Sequence, residues 1–182
     1  MGLWELGLGS WELGLGSFTL ATRFVPHPQA GVVLARGGMK PMADADLQEL
    51  LNHRTAAWNR RDSAALAAQY SDKAVVSSPM FPRAEGRGAI EDSFAMLFRI
   101  FPEWEITFEG ACTGTDRTMQ LGTVRATQRG EFMGLPGSGR RVQFECVIIL
   151  DFEDGEIVRD RRIYDFTGML IQLGVLRGKP AL

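Results

Sequence analysis

The residues best suited to chemistry are an acid and a base, Asp160 and Arg162, which interrupt an apolar pattern in the stretch Val142–Gly174. This stretch contains two strand-like runs on either side of the turn Glu153-Asp154-Gly155. A three-residue hairpin loop often ends with glycine in the left-handed conformation, where a Cβ atom would clash. The turn therefore predicts a β-hairpin that carries both charged residues on its second strand, with Ile148 opposite Asp160.

The predicted register decides which side chains of the hairpin share a face. The same loop places Phe152 opposite Glu156 and Cys146 opposite Arg162, and directly opposed residues lie on the same side of a sheet. One face then carries Phe144, Cys146, Ile148, Leu150, Val158, Asp160, Arg162 and Tyr164. The other face carries Glu145, Val147, Ile149, Asp151, Ile157, Arg159, Arg161, Ile163 and Asp165. Charges inside an apolar wall are unfavourable unless they are paired or used, so the first face indicates a functional site.

Length and charge limit the classes of function. The chain has 182 residues, which favours one domain, and its 20 Lys and Arg residues nearly balance its 22 Asp and Glu residues. The formal net charge of -2 gives no electrostatic reason to expect a nucleic acid or an anionic membrane as partner. No apolar run approaches the roughly 20 residues that span a bilayer. We therefore expect a cytoplasmic protein.

The two cysteines, Cys112 and Cys146, have neither the spacing of a metal site nor that of a disulfide framework. Both fall in strand-like runs, where free cysteines are usually buried. We expect two buried thiols in a reducing compartment, and no bound metal.

The first 41 residues differ in composition from the rest of the chain. The segment Trp4–Ser10 is repeated identically as Trp11–Ser17, and this glycine-rich copy matches no known repeat unit. The start also lacks the basic region of a signal peptide. We expect residues 1–41 to be a disordered or non-native extension, with the native start at Met39 or Met42, and residues 42–182 to form the domain. The alternative is a peptide that docks its tryptophans on a partner.

Three helical segments are predicted before the main strands. The first has a capping-box-like start at Asp46 and an apolar stripe that includes Arg54 and Trp58. The stem of Arg54 either packs while its guanidinium reaches solvent, or the side chain projects into a cavity as an oxyanion donor. The second helix is expected from Ser63 to Tyr70 and the third from Ala89 to Phe101.

The order of strands and helices is typical of an α+β fold. A short strand, Ala74–Ser77, lies between the second and third helices, and strands at Trp104–Glu109 and Arg117–Gln128 precede the hairpin. A short helix ends the pattern. We expect a curved antiparallel sheet wrapped on three helices, with a conical interior open at one end. The charged face of the hairpin and the loop Ser78–Phe81 would line this interior.

Several motifs together resemble the SnoaL-like polyketide cyclases, often named ester cyclases, of the nuclear-transport-factor-2-like superfamily. The matching segments are Ala57–Asp62, Gly86–Ile90, Phe101–Trp104, Gly130–Pro136 with Gly139-Arg140, Phe152–Val158 and Asp165–Gly174. The resemblance covers about Met42 to Gly174. It implies a cone-shaped α+β barrel, a homodimer, a small hydrophobic carbonyl substrate, and an enzyme without metal or cofactor.

The resemblance also implies a reaction, an intramolecular aldol closure by acid/base catalysis. Two carboxylates compete for the role of base. Burial would raise the pKa of Asp160, and the charge of nearby Arg162 or Arg54 would oppose this shift. For Asp165 the alternative to catalysis is that it caps the last helix. The candidate catalytic residues are Asp160, Asp165 and Arg54. The candidate substrate-binding residues are Trp58, Met80, Phe81, Gln128, Phe144, Cys146, Ile148, Arg162 and Tyr164.

Other functions of the superfamily match these residues in part or not at all. Ketosteroid isomerase chemistry is disfavoured because Ser78, Ile148 and Arg54 stand at the positions of its base and oxyanion groups. Limonene-epoxide-hydrolase-like enzymes use an Asp–Arg–Asp set, of which Asp160 with Arg162 or Arg54 matches a part. A non-catalytic ligand-binding or dimeric interaction module is the remaining alternative.

Overall fold

The computed structural model describes residues 44–177 of the chain. Its helices are α1 (Asp44–Arg60), α2 (Ser63–Ala67), α3 (Arg87–Ile100) and α4 (Phe166–Leu173). Its strands are β1 (Tyr70–Ser77), β2 (Ala84–Glu85), β3 (Glu105–Thr113), β4 (Arg117–Thr127), β5 (Arg141–Glu153) and β6 (Glu156–Tyr164). The expectations for residues 1–41 fall outside the described residues.

The strands of the described chain form one curved, unclosed sheet in the order β2-β1-β6-β5-β4-β3. Neighbouring strands are antiparallel except β1 and β6, which run parallel. The expected α+β fold is confirmed, but the sheet is mixed rather than wholly antiparallel. The parallel pair arises because the chain crosses over through α3 before the β3–β6 meander begins, and β6 then returns beside β1.

The turn of the β5–β6 hairpin is tighter than predicted. Asp154 and Gly155 have positive φ angles of 50° and 82°, and they connect the paired residues Glu153 and Glu156. Two consecutive left-handed residues are typical of a two-residue turn whose twist matches that of the strands. The predicted three-residue loop is therefore wrong.

A bulge next to this turn moves one side chain to the other face of the sheet. Phe152 pairs with Ile157 and Asp151 pairs with Arg159, so Val158 is the extra residue on β6. Ile157, expected on the outer face, is fully buried as a result.

The tighter turn and the bulge together shift the rest of the hairpin by two residues. Asp160 lies opposite Leu150 and Arg162 lies opposite Ile148, instead of the predicted partners. Because side chains alternate with a period of two, a shift of two residues keeps each side chain on its face. The predicted inward orientation of Asp160 is therefore confirmed: the residue is completely buried.

Boundaries of all three helices before the meander differ from the prediction, and one of them matters for the site. Helix α3 spans Arg87–Ile100 instead of Ala89–Phe101. Helix α1 begins at Asp44, so Asp46 lies within the helix rather than at its N-cap. Helix α2 ends at Ala67 and Tyr70 opens strand β1, where its side chain is buried beside β6. The predicted continuation of α2 to Tyr70 was wrong, because a helical period and a strand start cannot be told apart over so few residues.

Aromatic side chains fill the interior between the helices and the sheet. The ring of Trp58 on α1 stacks on Trp104, with centroids 5.8 Å apart, and meets the ring of Phe94 on α3 edge-on at 5.0 Å. Such pairs add to the free energy gained by burying large apolar surfaces. They fix α1 and α3 over the sheet and leave limited free space beside Trp58.

The outer face of the sheet exposes an apolar patch. Met119, Leu121 and Ile163 are exposed there, and Val147 and Ile149 between them are half-buried. In the part of the chain that the structure describes, no helix combines the length and hydropathy needed to cross a bilayer.

The two thiols have different environments. Cys146 is buried, as expected, but Cys112 is exposed, so that half of the expectation was wrong. Cys112 pairs with Met119 at the edge strand β3 and shares the outer face with it.

Candidate active site

A buried cluster of charges lies where α1, β1 and β6 meet. The carboxylate atom Oδ2 of Asp160 accepts hydrogen bonds from Arg54 Nη2 at 2.8 Å, Tyr70 Oη at 2.5 Å and Arg162 Nη2 at 3.0 Å. The other oxygen, Oδ1, accepts from Arg162 Nε at 3.2 Å. Arg54 also donates to the side chain of Gln69 at 3.3 Å. The arginine of α1 is thus buried and paired, and the interpretation in which its guanidinium reaches solvent was wrong.

The electrostatics of the cluster keep it ionised. Burial acts to raise the pKa of Asp160, but the charges of Arg162 and Arg54 and the hydrogen bonds to the carboxylate outweigh it, so this pKa lies below its ordinary value. The expectation of a raised pKa was wrong because two guanidinium groups, rather than one, contact the carboxylate. Burial raises the pKa of Tyr70 to about 12, so its hydroxyl stays protonated.

The cluster presents one positive charge to the interior. Its two guanidinium cations and one carboxylate leave a net charge of about +1, since Tyr70 is neutral. The guanidinium of Arg162 lies 5.1 Å from the Trp58 ring and 4.8 Å from the Phe94 ring, which is a favourable position for a cation. Its Nε and Nη2 atoms donate to Asp160, whereas Nη1 makes no hydrogen bond to a described residue. Arg162 is therefore a cationic donor with one unused nitrogen.

A cavity of about 30 Å³ lies beside Arg162. Its lining residues are Trp58, Ser78, Met80, Phe81, Leu97, Trp104, Ile106, Val124, Cys146, Ile148, Arg162 and Tyr164. Space of this size holds about two water molecules. Most of the wall is apolar, and the polar groups of Arg162, Tyr164 and Ser78 converge on one side.

The hydroxyl of Tyr164 binds the loop after β1, which forms one side of the cavity. Its oxygen accepts a hydrogen bond from the backbone N–H of Met80 at 3.0 Å and lies 3.0 Å from Ser78 Oγ. Burial raises the pKa of Tyr164, so the phenol is neutral near pH 7. Burial likewise raises the pKa of the Cys146 thiol to about 11, which makes it part of the apolar wall rather than a nucleophile.

Two tryptophans of the wall carry indole N–H groups without an acceptor. The Nε1 atoms of Trp58 and Trp104 are buried and make no hydrogen bond to described residues. A buried donor without a partner destabilises the fold by about 1–3 kcal/mol. The cavity wall itself has the polar groups of Arg162, Tyr164 and Ser78 and no carboxylate, which suits a ligand with carbonyl or enolate oxygens.

The structure brings most of the predicted site residues together. Of the nine candidate substrate-binding residues, seven line the cavity: Trp58, Met80, Phe81, Cys146, Ile148, Arg162 and Tyr164. Gln128 instead holds the loop before β5, through Gly130, Pro136 and Ser138, and Phe144 packs behind Tyr164. Neither of these two lines the cavity.

The three candidate catalytic residues have different positions. Asp160 and Arg54 form the buried cluster directly behind Arg162, and neither lines the cavity. Asp165 is exposed and caps α4, accepting the N–H of Gly168 at 2.8 Å. The capping interpretation of Asp165 is thereby confirmed, and a catalytic role for it stays a prediction.

Sequence reasoning missed Tyr70 and part of the wall: Leu97, Trp104, Ile106 and Val124. The alternation of Trp104 and Ile106 with polar residues did predict an inward face for both, and this was the signal that could have included them. Among residues 44–177, no cluster of three or more His, Cys, Asp and Glu side chains has the arrangement of a metal site.

Comparison with known proteins gives one family match. A family model for SnoaL-like polyketide cyclases matches residues 48–173, which is most of the chain. Comparison with curated protein sequences found no match.

Solved structures share the fold. AclR from Streptomyces galilaeus, a protein proposed to be a hydroxylase, is 28% identical with a TM-score of 0.66, over 76% of this chain and 91% of AclR. TsrD from Streptomyces laurentii is 24% identical with a TM-score of 0.66, over 74% of this chain and 99% of TsrD. A proposed SnoaL-like polyketide cyclase from Jannaschia sp. CCS1 is 19% identical with a TM-score of 0.64, over 76% and 98%. These likenesses confirm the expected nuclear-transport-factor-2-like fold.

Proposed function

The chain belongs to the SnoaL-like polyketide cyclase family, and we propose that it closes a ring in a small hydrophobic compound with several carbonyl groups. The reaction is an intramolecular aldol closure. The observation that carries the proposal is the position of Arg162, a buried cation with an unused donor in the wall of an apolar cavity. Donors aimed at the place where negative charge develops are the main source of rate acceleration in such reactions.

The first step in this proposal forms an enolate. Arg162 turns its guanidinium from Asp160 to a carbonyl oxygen of the substrate, and this movement opens Asp160, which does not line the closed cavity, to the substrate. Asp160 Oδ1 then takes a proton from the adjacent carbon. Oδ1 suits this role because it accepts a hydrogen bond from Arg162 alone, whereas Oδ2 also holds Arg54 and Tyr70. As Arg162 leaves, the burial of Asp160 raises the pKa of its carboxyl, so basicity increases when the proton must be accepted.

The second step closes the ring. The enolate carbon forms a bond with a second carbonyl carbon, whose oxygen becomes an alkoxide and takes the proton of Tyr164 Oη. Tyr164 then recovers a proton from water, and Asp160 returns its proton to water, so the sequence releases no net proton. No cofactor is needed because the neighbouring carbonyls already acidify the proton that is removed.

Opening of the cavity belongs to the proposal. A volume of about 30 Å³ is far below the roughly 300 Å³ of small-molecule sites, so a substrate must displace part of the wall. Met80 and Phe81 are the candidates, because they lie on the loop after β1 and are half-buried rather than packed in the core.

The proposal is tested with a synthetic 1,3,5-triketone of polyketide type, followed by chromatography and mass spectrometry for a cyclised or dehydrated product. We expect Asp160→Asn and Tyr164→Phe each to lower turnover by about 10²-fold or more. The matched control is Asp151→Asn, which alters an aspartate–arginine pair on the outer face of the sheet. Each variant is assayed at a temperature at which circular dichroism shows it folded. Undiminished turnover in folded Asp160→Asn would exclude the carboxylate as base.

A ligand-binding module is the second candidate, favoured by one observation: both oxygens of Asp160 are already occupied by donors and the pKa of its carboxyl is lowered. Binding of the triketone that survives Asp160→Asn, with no product from either protein, is the result expected of such a module.

We also propose that two copies of the chain associate through the apolar outer face of the sheet around Leu121 and Ile163. Exposed apolar side chains of this kind, side by side on one face, are typical of interaction surfaces. Sedimentation equilibrium should show a dimer, and Leu121→Glu should shift it to a monomer. A monomer in the unsubstituted protein excludes this arrangement.

A further inference from the structure

A second and larger recess lies outside the cavity, between helix α1 and the edge strand β3. Its volume of about 510 Å³ falls in the range of small-molecule sites, roughly 300–1,000 Å³. We call it the α1–β3 groove. Of the lining residues, Ile106 also lines the cavity, so its side chain separates the two spaces.

The lining of the groove is polar but carries no charged side chain. Its polar residues are Gln48, Asn52, Thr55, Asn59, Thr107 and Gln120. The four on α1 recur at intervals of four, three and four residues and therefore form one stripe along the helix. The core stripe of Leu51 and Trp58 lies beside it, so the polar stripe is a separate feature of the helix.

Gln120 is the member of this set that points to a ligand. It lies on the inner face of β4, opposite Ile148, and is only 5% exposed. Its side chain makes no hydrogen bond to a described residue, and it lines the groove. Because its amide atoms are not sealed from the groove, they can donate to and accept from a group bound there.

Other polar side chains of the groove already make hydrogen bonds within the protein, and these bonds determine which donors and acceptors remain for a ligand. Asn59 donates to and accepts from the backbone of Ile106, at 3.1 and 3.0 Å, and so holds the edge strand. Gln48 Nε2 donates to Asn52 Oδ1 at 3.0 Å, which leaves the Gln48 carbonyl as an acceptor and the Asn52 amino group as a donor. With Gln120, the groove offers neutral donors and acceptors in similar number.

An aromatic ring provides the apolar side of the groove. Phe108 on β3 is half-buried and lies across Gly122 of the neighbouring strand, where a Cβ atom would come within 2.9 Å of the ring. The glycine thus lets the ring lie close to the sheet with part of its surface exposed to the groove. An apolar surface next to uncharged amides is complementary to a molecule with hydroxyl groups at its rim and C–H groups on its face.

We propose that the α1–β3 groove binds a neutral, polyhydroxylated ring compound, that is, a sugar or a sugar-like substituent. Each hydroxyl group both donates and accepts, as the free amides require, and a ring C–H face packs on Phe108. The absence of charged lining residues disfavours acidic or basic ligands, whose desolvation nothing in the groove would offset. This inference is independent of the aldol reaction, and either one can fail alone.

The test uses methyl glucoside and methyl rhamnoside as probes, added to the full chain labelled with ¹⁵N. We expect saturable shifts of the side-chain amide signals of Gln120 and Asn52. The uronate of methyl glucoside, in which a carboxylate replaces the C6 hydroxymethyl group of the same ring, should bind more weakly. Equal binding of the charged and neutral probes would overturn the proposed ligand class.

Variants make the test specific. Gln120→Leu has nearly the same volume and removes an unpaired amide, so it should fold, yet its affinity for the glycoside should fall by about tenfold or more. Asn52→Ala, on the exposed side of α1, should weaken binding without affecting the core. The matched control is Gln143→Leu, an exposed glutamine on the neighbouring strand β5, which should bind unchanged. No saturable shift in the unsubstituted protein, or full binding by Gln120→Leu, would overturn the inference.

Discussion

Replacing Asp160 with asparagine should destabilise the fold strongly, because the substitution leaves two buried cations next to each other. Arg54 is 1% exposed, Asp160 is completely buried, and the side chain of Arg162 is 9% exposed. Removing one partner of a buried ion pair destabilises proteins by about 3–5 kcal/mol, since the remaining charge has lost both water and counter-ion. Here two guanidinium groups share the lost carboxylate, so we expect a loss in the upper part of this range.

Substituting Arg54 instead should have a smaller effect. In Arg54→Met the carboxylate of Asp160 keeps its hydrogen bonds from Arg162 and Tyr70. The double variant Arg54→Met, Asp160→Asn should be more stable than the sum of the single effects predicts, because methionine removes one of the two cations that asparagine leaves unpaired. A coupling of about 0.5–3 kcal/mol is usual for residues in direct contact.

Urea unfolding measures these differences, with the fluorescence of the buried Trp58 and Trp104 as signal. A loss of 3–5 kcal/mol corresponds to a decrease of roughly 6–20 °C in Tm for a domain of this size. The control variant Asp151→Asn disrupts a pair with Arg117 on the outer face, where Arg117 is 52% exposed, and should lose about 1 kcal/mol or less. If Asp160→Asn is no less stable than this control, or more stable than Arg54→Met, the account of the buried cluster is wrong.

Three further outcomes follow from the same structure. Folding lowers the pKa of Asp160, so the stability that its carboxylate contributes is complete above the ordinary carboxyl pKa near 4 and is lost as the pH falls through the lower folded value. The stability difference between the unsubstituted protein and Asp160→Asn should therefore shrink only below about pH 4. In the native protein a thiol reagent at pH 8 should modify Cys112 rapidly and Cys146 slowly, since the latter is buried with a pKa of about 11; equal rates would contradict its burial. Asp165→Ala should lose about 0.5–2 kcal/mol in urea unfolding, because the cap of α4 is missing, while turnover persists. A variant that is inactive but equally stable would make Asp165, rather than Asp160, the candidate base.

The fold could be predicted from the sequence because its strongest patterns are local. Helical spacing in α1 and α3 and the glycine turn at Gly155 each identify an element without knowledge of the rest of the chain. The inward position of Asp160 survived an incorrect turn because the error in register was even. An error of one residue would have placed Asp160 and Arg162 on the solvent face.

The arrangement inside the site could not be predicted, because it depends on contacts between distant segments. Tyr70 reaches Asp160 through the parallel pairing of β1 with β6, which no local pattern indicates. The same holds for the pKa of Asp160: burial and nearby cations act in opposite directions, and their balance depends on how many guanidinium groups arrive. The sequence could identify Asp160 and Arg162, but not that the guanidinium of Arg162 would separate the carboxylate of Asp160 from the cavity.

This arrangement couples entry of a ligand to the donors that the proposed reaction needs. While the cavity is closed, Tyr164 Oη is occupied by Ser78 and by the N–H of Met80, and the contacts of Arg162 are with Asp160. A ligand that displaces the loop after β1 breaks the hydrogen bonds of Tyr164, each of which contributes about 0.5–1.5 kcal/mol, and so frees its hydroxyl. A carbonyl oxygen can accept from the freed Tyr164 hydroxyl and from the Arg162 guanidinium, whereas a hydrocarbon of equal size can accept from neither. The hydrogen bonds that hold the cavity closed therefore favour ligands with oxygen atoms, because only such ligands can compensate for breaking them.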